Sequence, residues 1–521
     1  MSGRLLDRIR EFSQSRPSRA ALCFRKEQVT YGQLWDRVCR SAGKLSEAGV
    51  RPGECAAYSA LSRPSSVIVY LAIQYIGGIA VHIDKNAAPS RALAVCEEAG
   101  ASVFLTDMKM NGTAVPDHVH LLSLKQLTAE GHGPETERPE EDGETDLPAA
   151  ETGDEDIAEL IFTSGTTGRP KGVMLSCRAV MSITEHTRTG IGIRPDDAVL
   201  IPLPLHHSYG LRVLRAVLAS GATAVLQNGF AFAGDIEKNL DRWNCTGFAA
   251  VPASMELLRE QMKDRFYEIM GRFRYIEIGA GALTQEQRKR LSARLPETAL
   301  YNTWGSSETG GAVFTDVHEA VRKENTVTTI GKPLPDIEVR IADEHGAILA
   351  HTDEEHPGRM QLRGAMLMSG YWNRPDLTAE TLRDGWLMTG DMVWRDGDGF
   401  LYMLGRADDL INVGGEKVSP VEIENIASEY PYLRECACIG VKEETKGLGQ
   451  VPVLYLAVRR GYTEEGLVSF LSDRLERLKM PAAYRVVEAI PRNRMQKIDR
   501  RAIRTLWESE QAAGETKTER T

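Results

Sequence analysis

Short apolar runs at residues 103–106, 198–203, 222–226, 247–251 and 275–278 alternate along this chain with stretches of helical periodicity. Runs of that length fit buried strands, and strands separated by helices pair in parallel, with the helices crossing over the sheet faces. The chain is therefore expected to be α/β, with substantial parallel sheet. Residues 30–50 typify the helices: Leu34, Val38, Ala42, Leu45 and Ala48 recur at helical spacing, and Gly49 supplies a stop. The longest apolar run, 67–83, is broken by Gln74, two glycines and His82, and reads as a buried helix entering a strand rather than a membrane span.

At 521 residues the chain exceeds one ordinary core, so two or more domains are expected. Beyond residue 330 the pattern changes to short antiparallel strands, at 337–341, 358–362 and 400–404. From Asp408 a smaller unit begins, with helices expected at 420–429 and 463–477 and strands at 435–441, 451–458 and 485–488. The net charge of −10 is local, because residues 135–156 hold eleven acidic side chains and one basic, and the rest sums to zero. Residues 128–156 are expected to be a mobile insertion, and the tail from about 509 to 521 to be disordered. No basic block points to nucleic acid. The eight cysteines show no CxxC spacing, and the N-terminus lacks the apolar stretch of a signal peptide. A cytoplasmic protein without stable membrane insertion is expected.

Chemistry is concentrated in a few stretches. Leu160, Ile161 and Phe162 end a strand that runs into Thr163, Ser164, Gly165, Thr166, Thr167, Gly168, Arg169, Pro170, Lys171 and Gly172. Glycines that open backbone N–H groups to a ligand, beside hydroxyls and an ammonium, suit polyphosphate. The stretch is not a Walker A loop, because Pro170 precedes Lys171 and Gly172 follows it. His206 and His207 follow another apolar run and, being adjacent, make a poor metal pair. Residues 301–310, with Asn302, Trp304, Gly305, Ser307 and Glu308 among them, offer an aromatic face, hydroxyls and a carboxylate able to hold Mg²⁺. Asp391 ends a turn, and its carboxylate could accept both hydroxyls of a ribose. A last cluster, 405–417, with Arg406, Asp408, Gly414 and Gly415, falls at the inferred domain junction.

These motifs, in this order and over roughly residues 30–505, resemble the adenylate-forming superfamily of acyl-CoA synthetases, aryl-acid ligases, adenylation domains and luciferases, most closely the acyl- or aryl-CoA ligases. The resemblance implies a large N-terminal domain, 1–405, of layered α/β subdomains with a small β-barrel-like part. It also implies a small mobile C-terminal α+β domain, 406–521, hinged at Asp408. Thr163, Ser164, Gly165, Thr166, Thr167, Gly168 and Lys171 match the loop that grips the ATP β- and γ-phosphates. Gly279, Ala280 and Gly281 resemble the loop against adenine. Trp304 stands where the family usually has tyrosine, and Ser307 replaces a threonine. Glu308, together with Thr167, is implied at Mg²⁺, Asp391 at the ribose and Arg406 beside it. His207 matches a histidine at the carboxylate pocket. Lys497 matches the catalytic lysine of the small domain, with Gln496 in place of the usual glycine.

The implied reaction is ATP-dependent conversion of a carboxylic acid to acyl-AMP, with loss of pyrophosphate, then transfer to a thiol. Adenylation domains for amino acids carry an aspartate near 204–211; this chain has His206, His207, Ser208 and Tyr209 there, which favours a fatty or aromatic acid. Arg212 and Arg215 could meet a second carboxylate, but a solvated helix face is the expectation. Gly414 and Gly415, implied beside the thiol's path, and the residues to Glu424 resemble CoA ligases. The phosphopantetheine of an acyl carrier protein presents the same thiol. A non-catalytic nucleotide sensor and a luciferase-type oxidation are the other readings open to such a chain.

Overall fold

The computed structural model describes residues 5–128, 148–164, 170–323, 329–443, 449–493 and 497–518. Two large sheets carry the N-terminal part. The first has eight strands in the order Gly310–Asp316, Ala299–Ser306, Tyr275–Ile278, Gly247–Ala250, Ala198–Ile201, Thr223–Leu226, Ala20–Phe24 and Glu27–Thr30. Its inner pairings are parallel and its outermost pair at each edge is antiparallel. The second has seven: Gly370–Tyr371, Pro170–Ser176, Ile157–Ser164, Ile79–Ile83, Cys55–Ser59, Val103–Leu105 and His120–Leu122. The alternation of apolar runs thus yields parallel sheet because each run is buried on both faces, as at Val103, Phe104 and Leu105. The strand Ala20–Phe24 and its antiparallel partner were not singled out by the sequence pattern.

The run at 67–83 is a helix, Pro64–Tyr75, followed by the strand Ile79–Ile83. The helix Tyr31–Glu47 is capped by Thr30, whose hydroxyl accepts from Gln33 N while the Gln33 side chain accepts from Thr30 N. The helix Ser208–Ala219 is buried from Tyr209 to Ala219 and is tied by side chains to both sheets.

A third, antiparallel sheet of six strands follows, built around Trp386–Arg395 with Leu401–Arg406 and Gly358–Arg363 beside it. The small C-terminal unit is a five-stranded sheet centred on the long pair Leu433–Glu443 and Gly449–Val458, covered by the helices Pro420–Ser428 and Glu464–Ser472. The latter helix stops short of the expected 477, and a 3₁₀ turn, Arg477–Lys479, succeeds it.

The chain end differs from expectation. A helix, Arg500–Thr518, occupies most of the tail expected to be disordered. Ile503 is buried against Ile490 and Tyr455, Leu506 and Trp507 pack on the same cluster, and Glu510 accepts from the Tyr455 hydroxyl at 3.3 Å. An apolar stripe at helical spacing explains the order. Of the acidic segment, residues 129–147 lie outside the described residues. Residues 148–156 are fastened to the body, with Ala150 N donating to Tyr75 O and Arg178 N to Asp154 O.

Candidate active site

The strands Ile157–Ser164 and Pro170–Ser176 are antiparallel partners, with Thr163 opposite Lys171 and Ser164 opposite Pro170. The two described ends of the expected phosphate loop are therefore antiparallel partners. Gly165, Thr166, Thr167 and Gly168 lie outside the described residues, and with them the metal assignment of Thr167. At the end of the first strand the Thr163 hydroxyl is buried with no hydrogen-bond partner among the described residues. Lys171 reaches across to Glu308, Nζ to Oε1 3.4 Å, and to the Tyr371 hydroxyl at 2.8 Å. Tyr371 in turn donates to Glu308 Oε1 at 2.8 Å. Burial alone would raise the Glu308 carboxyl, but Lys171, Tyr371 and Ser306 outweigh it and hold the pKa below its ordinary value.

Asp391 and Arg406 face each other across the pair Trp386–Arg395 and Leu401–Arg406. Asp391 is 5% exposed, and its Oδ1 has no hydrogen bond; Arg406 Nε stands 3.6 Å away. Burial pushes this carboxyl up to about 6, against the opposing pull of Arg406, a hydrogen bond from Trp304, and Lys497. An ionisable oxygen buried with no partner is costly unless a ligand supplies one.

Lys497 comes from the small C-terminal unit, yet it stands in the field of Asp391, Arg406 and Glu308. Its side chain is open to solvent in a cleft crowded by protein, and that crowding lowers its pKa, with Asp391 opposing, Arg406 adding and Glu308 opposing. Gln496 lies outside the described residues. Asn493 and Lys497 are joined to each other: Asn493 N donates to Lys497 O at 2.9 Å, and Lys497 N donates to Asn493 Oδ1 at 3.1 Å.

Gly279, Ala280 and Gly281 leave the strand Tyr275–Ile278 in a loop whose shape is set by Asn302. The Asn302 amide donates to the carbonyls of Ile278 and Gly281, and its oxygen accepts from Arg288. Asn302 is thus buried and committed to the loop itself. Ala280 sits at φ 61°, the left-handed region that disfavours a side chain, a strain of the kind that gathers at ligand sites. Gly279 has to be glycine, because a Cβ there would come within 2.7 Å of the Tyr209 ring. Ser307 meets Ser208 at 3.4 Å, and Gly305 lies in the strand Ala299–Ser306 beside Trp304.

His207 precedes the helix Ser208–Ala219 and packs against His206, with ring centroids 4.1 Å apart and the planes tilted by 44°. Burial, His206 and Lys497 push its pKa down to about 2, so its imidazole is neutral. The expectation for Arg212 and Arg215 is overturned. Both are buried and paired inside the protein, Arg212 with Glu277 at 2.5 Å and Arg215 with Glu159. The helix lies between two sheets, so it has no solvated face to offer. Asp408 is exposed in the turn after Leu401–Arg406. Gly414 and Gly415 are the exposed tip of a hairpin, at φ 61° and 98°, as a tight two-residue turn requires. Neither joins the cluster around Lys497.

The structure therefore brings together Thr163, Lys171, Glu308, Trp304, Asp391, Arg406, His207 and Lys497. It adds Tyr371, which the sequence reading missed; a tyrosine after glycine carries no signal of its own. The orphaned Asp391 oxygen and Thr163 hydroxyl fit a ribose and a phosphate, and Glu308 fits a divalent cation, so the residues present suit Mg²⁺ and ATP.

The family description "AMP-binding enzyme" matches residues 9–372, and "AMP-binding enzyme C-terminal domain" matches residues 422–497. The chain belongs to the AMP-binding enzyme family. Among curated relatives, the 2-succinylbenzoate–CoA ligase of Bacillus cereus strain Q1 is 29% identical over 494 residues, covering 94% of this chain and 96% of that one. The solved O-succinylbenzoate coenzyme A synthetase (MenE) of Bacillus subtilis, in complex with ATP and magnesium ion, superposes with a TM-score of 0.79. It is 27% identical over 94% of this chain and 98% of that one. ATP-bound MatB from Rhodopseudomonas palustris, at 24% identity, shares the fold, with a TM-score of 0.83 over 97% of this chain and 99% of that one.

Proposed function

We propose that this protein activates an aromatic carboxylic acid with ATP and Mg²⁺ and transfers the acyl group to coenzyme A. The reaction class, acid to acyl-AMP and then to thioester, follows from the family. The aromatic acid and the coenzyme A acceptor are supported by the relatives that the chain matches over 94% of its length, which are 2-succinylbenzoate–CoA ligases.

A carboxylate resists attack because addition builds further charge on an anion. Adenylation gives it a good leaving group, and the protein's task is to align two anions and neutralise them. The observation that carries the reading is the position of Lys497. A cation from the small unit is felt electrostatically by Asp391, Glu308 and His207 of the large one, which supports a setting where it could meet both an acid oxygen and an α-phosphate. Lys171 serves the departing pyrophosphate, and Mg²⁺ on Glu308 would screen the phosphates. The neutral His207 can donate a hydrogen bond to the acid without adding charge. Arg212 and Arg215, already paired, leave a second carboxylate on the acid to find other partners.

The test is ATP–pyrophosphate exchange across aromatic, fatty and dicarboxylic acids, followed by thioester assay with coenzyme A or a phosphopantetheine-bearing carrier protein. Exchange with aromatic acids and thioester with coenzyme A are expected. Absence of exchange with every acid would refute activation, and acylation of the carrier protein alone would move the assignment to a carrier-protein ligase.

A further inference from the structure

We propose that Tyr371 is a positioning residue for the ATP half-reaction, holding Lys171 and Glu308 as a bridged pair that Mg²⁺-ATP opens. The inference rests on the reading that Lys171 and Glu308 serve the phosphates and Mg²⁺.

The phenol stands between the two charges. It accepts from Lys171 Nζ at 2.8 Å and donates to Glu308 Oε1 at 2.8 Å, whereas the direct Lys171–Glu308 contact is longer, 3.4 Å. The Lys171 ammonium also lies 4.2 Å from the centroid of the Tyr371 ring. Both bonds to the carboxylate end on Oε1, so Oε2 takes neither.

The tyrosine is itself anchored. It is 3% exposed, and its strand, Gly370–Tyr371, pairs with Pro170–Ser176, the strand that carries Lys171. Tyr371 N donates to the Thr378 hydroxyl at 2.8 Å. Nearby, Met368 N donates to Glu308 O at 2.9 Å, so the segment that presents the phenol also holds the backbone of the glutamate.

Two opposite charges at this spacing, left alone, close on each other, and each then has to be pulled away before it can serve a ligand. A neutral hydroxyl bonded to both satisfies them while leaving their direct ion pair long, at 3.4 Å. Without it, that pair is free to shorten and competes more strongly with phosphate for the lysine and with the cation for the glutamate.

The experiment is calorimetric titration of Tyr371→Phe with ATP in the presence of Mg²⁺, and with AMP, which has no β- or γ-phosphate. Lys171→Ala is titrated alongside. Loss of a hydrogen bond to charged groups corresponds to roughly 10- to 100-fold in affinity. Mg²⁺-ATP binding to Tyr371→Phe is expected to weaken by that factor, with AMP binding unchanged and thioester formation from supplied acyl-adenylate retained. Equal weakening of ATP and AMP would reduce Tyr371 to a structural residue. Unchanged ATP binding, with Lys171→Ala impaired, would overturn the proposal alone. If Lys171→Ala also bound Mg²⁺-ATP normally, the assignment of the phosphate site would fall and the proposal with it.

Discussion

Replacing Asp391 by Asn should make this protein more stable at neutral pH while damaging nucleotide binding. In the native state burial holds the Asp391 carboxyl at about 6, against an ordinary value of 3.8. Above pH 6 the group is ionised both folded and unfolded, and the folded state holds that charge less well than water does. A gap of this size opposes folding by roughly 3 kcal/mol, fully present above pH 6. As the pH falls the native carboxyl protonates first, so the penalty shrinks to about half by pH 5 and to about a fifth by pH 4. Urea unfolding of Asp391→Asn, followed by tryptophan fluorescence at pH 8 and pH 4, should therefore show a gain of up to about 3 kcal/mol at the higher pH and little at the lower. Binding of ATP and AMP should weaken together, because both lose the ribose acceptor. A variant less stable than the native protein at pH 8 would refute the reasoning, since Arg406 and Lys497, rather than burial, would then dominate the carboxylate.

Lys497→Ala should lower ATP–pyrophosphate exchange by on the order of 10²–10³, the usual effect of removing one preorganised electrostatic contact, while thioester formation from supplied acyl-adenylate persists. Equal loss of both steps would contradict its assignment to the first. Asp408→Pro fixes φ in the turn between the two units and should slow thioester formation more than adenylation, as separate single-turnover assays of each step would reveal. Glu159→Gln strands the buried Arg215 guanidinium and should destabilise the large domain by about 3–5 kcal/mol, seen as a lowered unfolding midpoint at neutral pH.

Much of the site was legible in the sequence because its groups act through local chemistry. Asp391 and Glu308 sit in short stretches whose residue types suit one ligand atom, Lys497 is picked out only through the family resemblance, and the structure sets all three in one another's field. Arg212 and Arg215 were misread for a physical reason. Helical periodicity identifies a polar face but not what that face meets, and the carboxylates that receive these arginines lie on strands 65 and 56 residues distant in the chain. Tyr371 escaped for the same reason: its role exists only through Lys171 and Glu308, 200 and 63 residues away. The tail helix escaped because its stripe, Ile503, Leu506 and Trp507, is short and set among charges, and its order comes from docking on Tyr455 and Ile490 rather than from propensity.

The helix Ser208–Ala219 is clamped at two points, to one large sheet through Arg212 and Glu277 and to the other through Arg215 and Glu159. On the proposed reading His207, which leads into this helix, meets the acid, and a helix fastened on both sides yields little to a guest. The protein is therefore expected to discriminate among acids by rejection more than by adjustment, with a narrow substrate profile and little benefit from relaxing one pocket residue at a time. Widening it would require loosening an ion pair in each sheet, at a cost in folding that few single substitutions could bear.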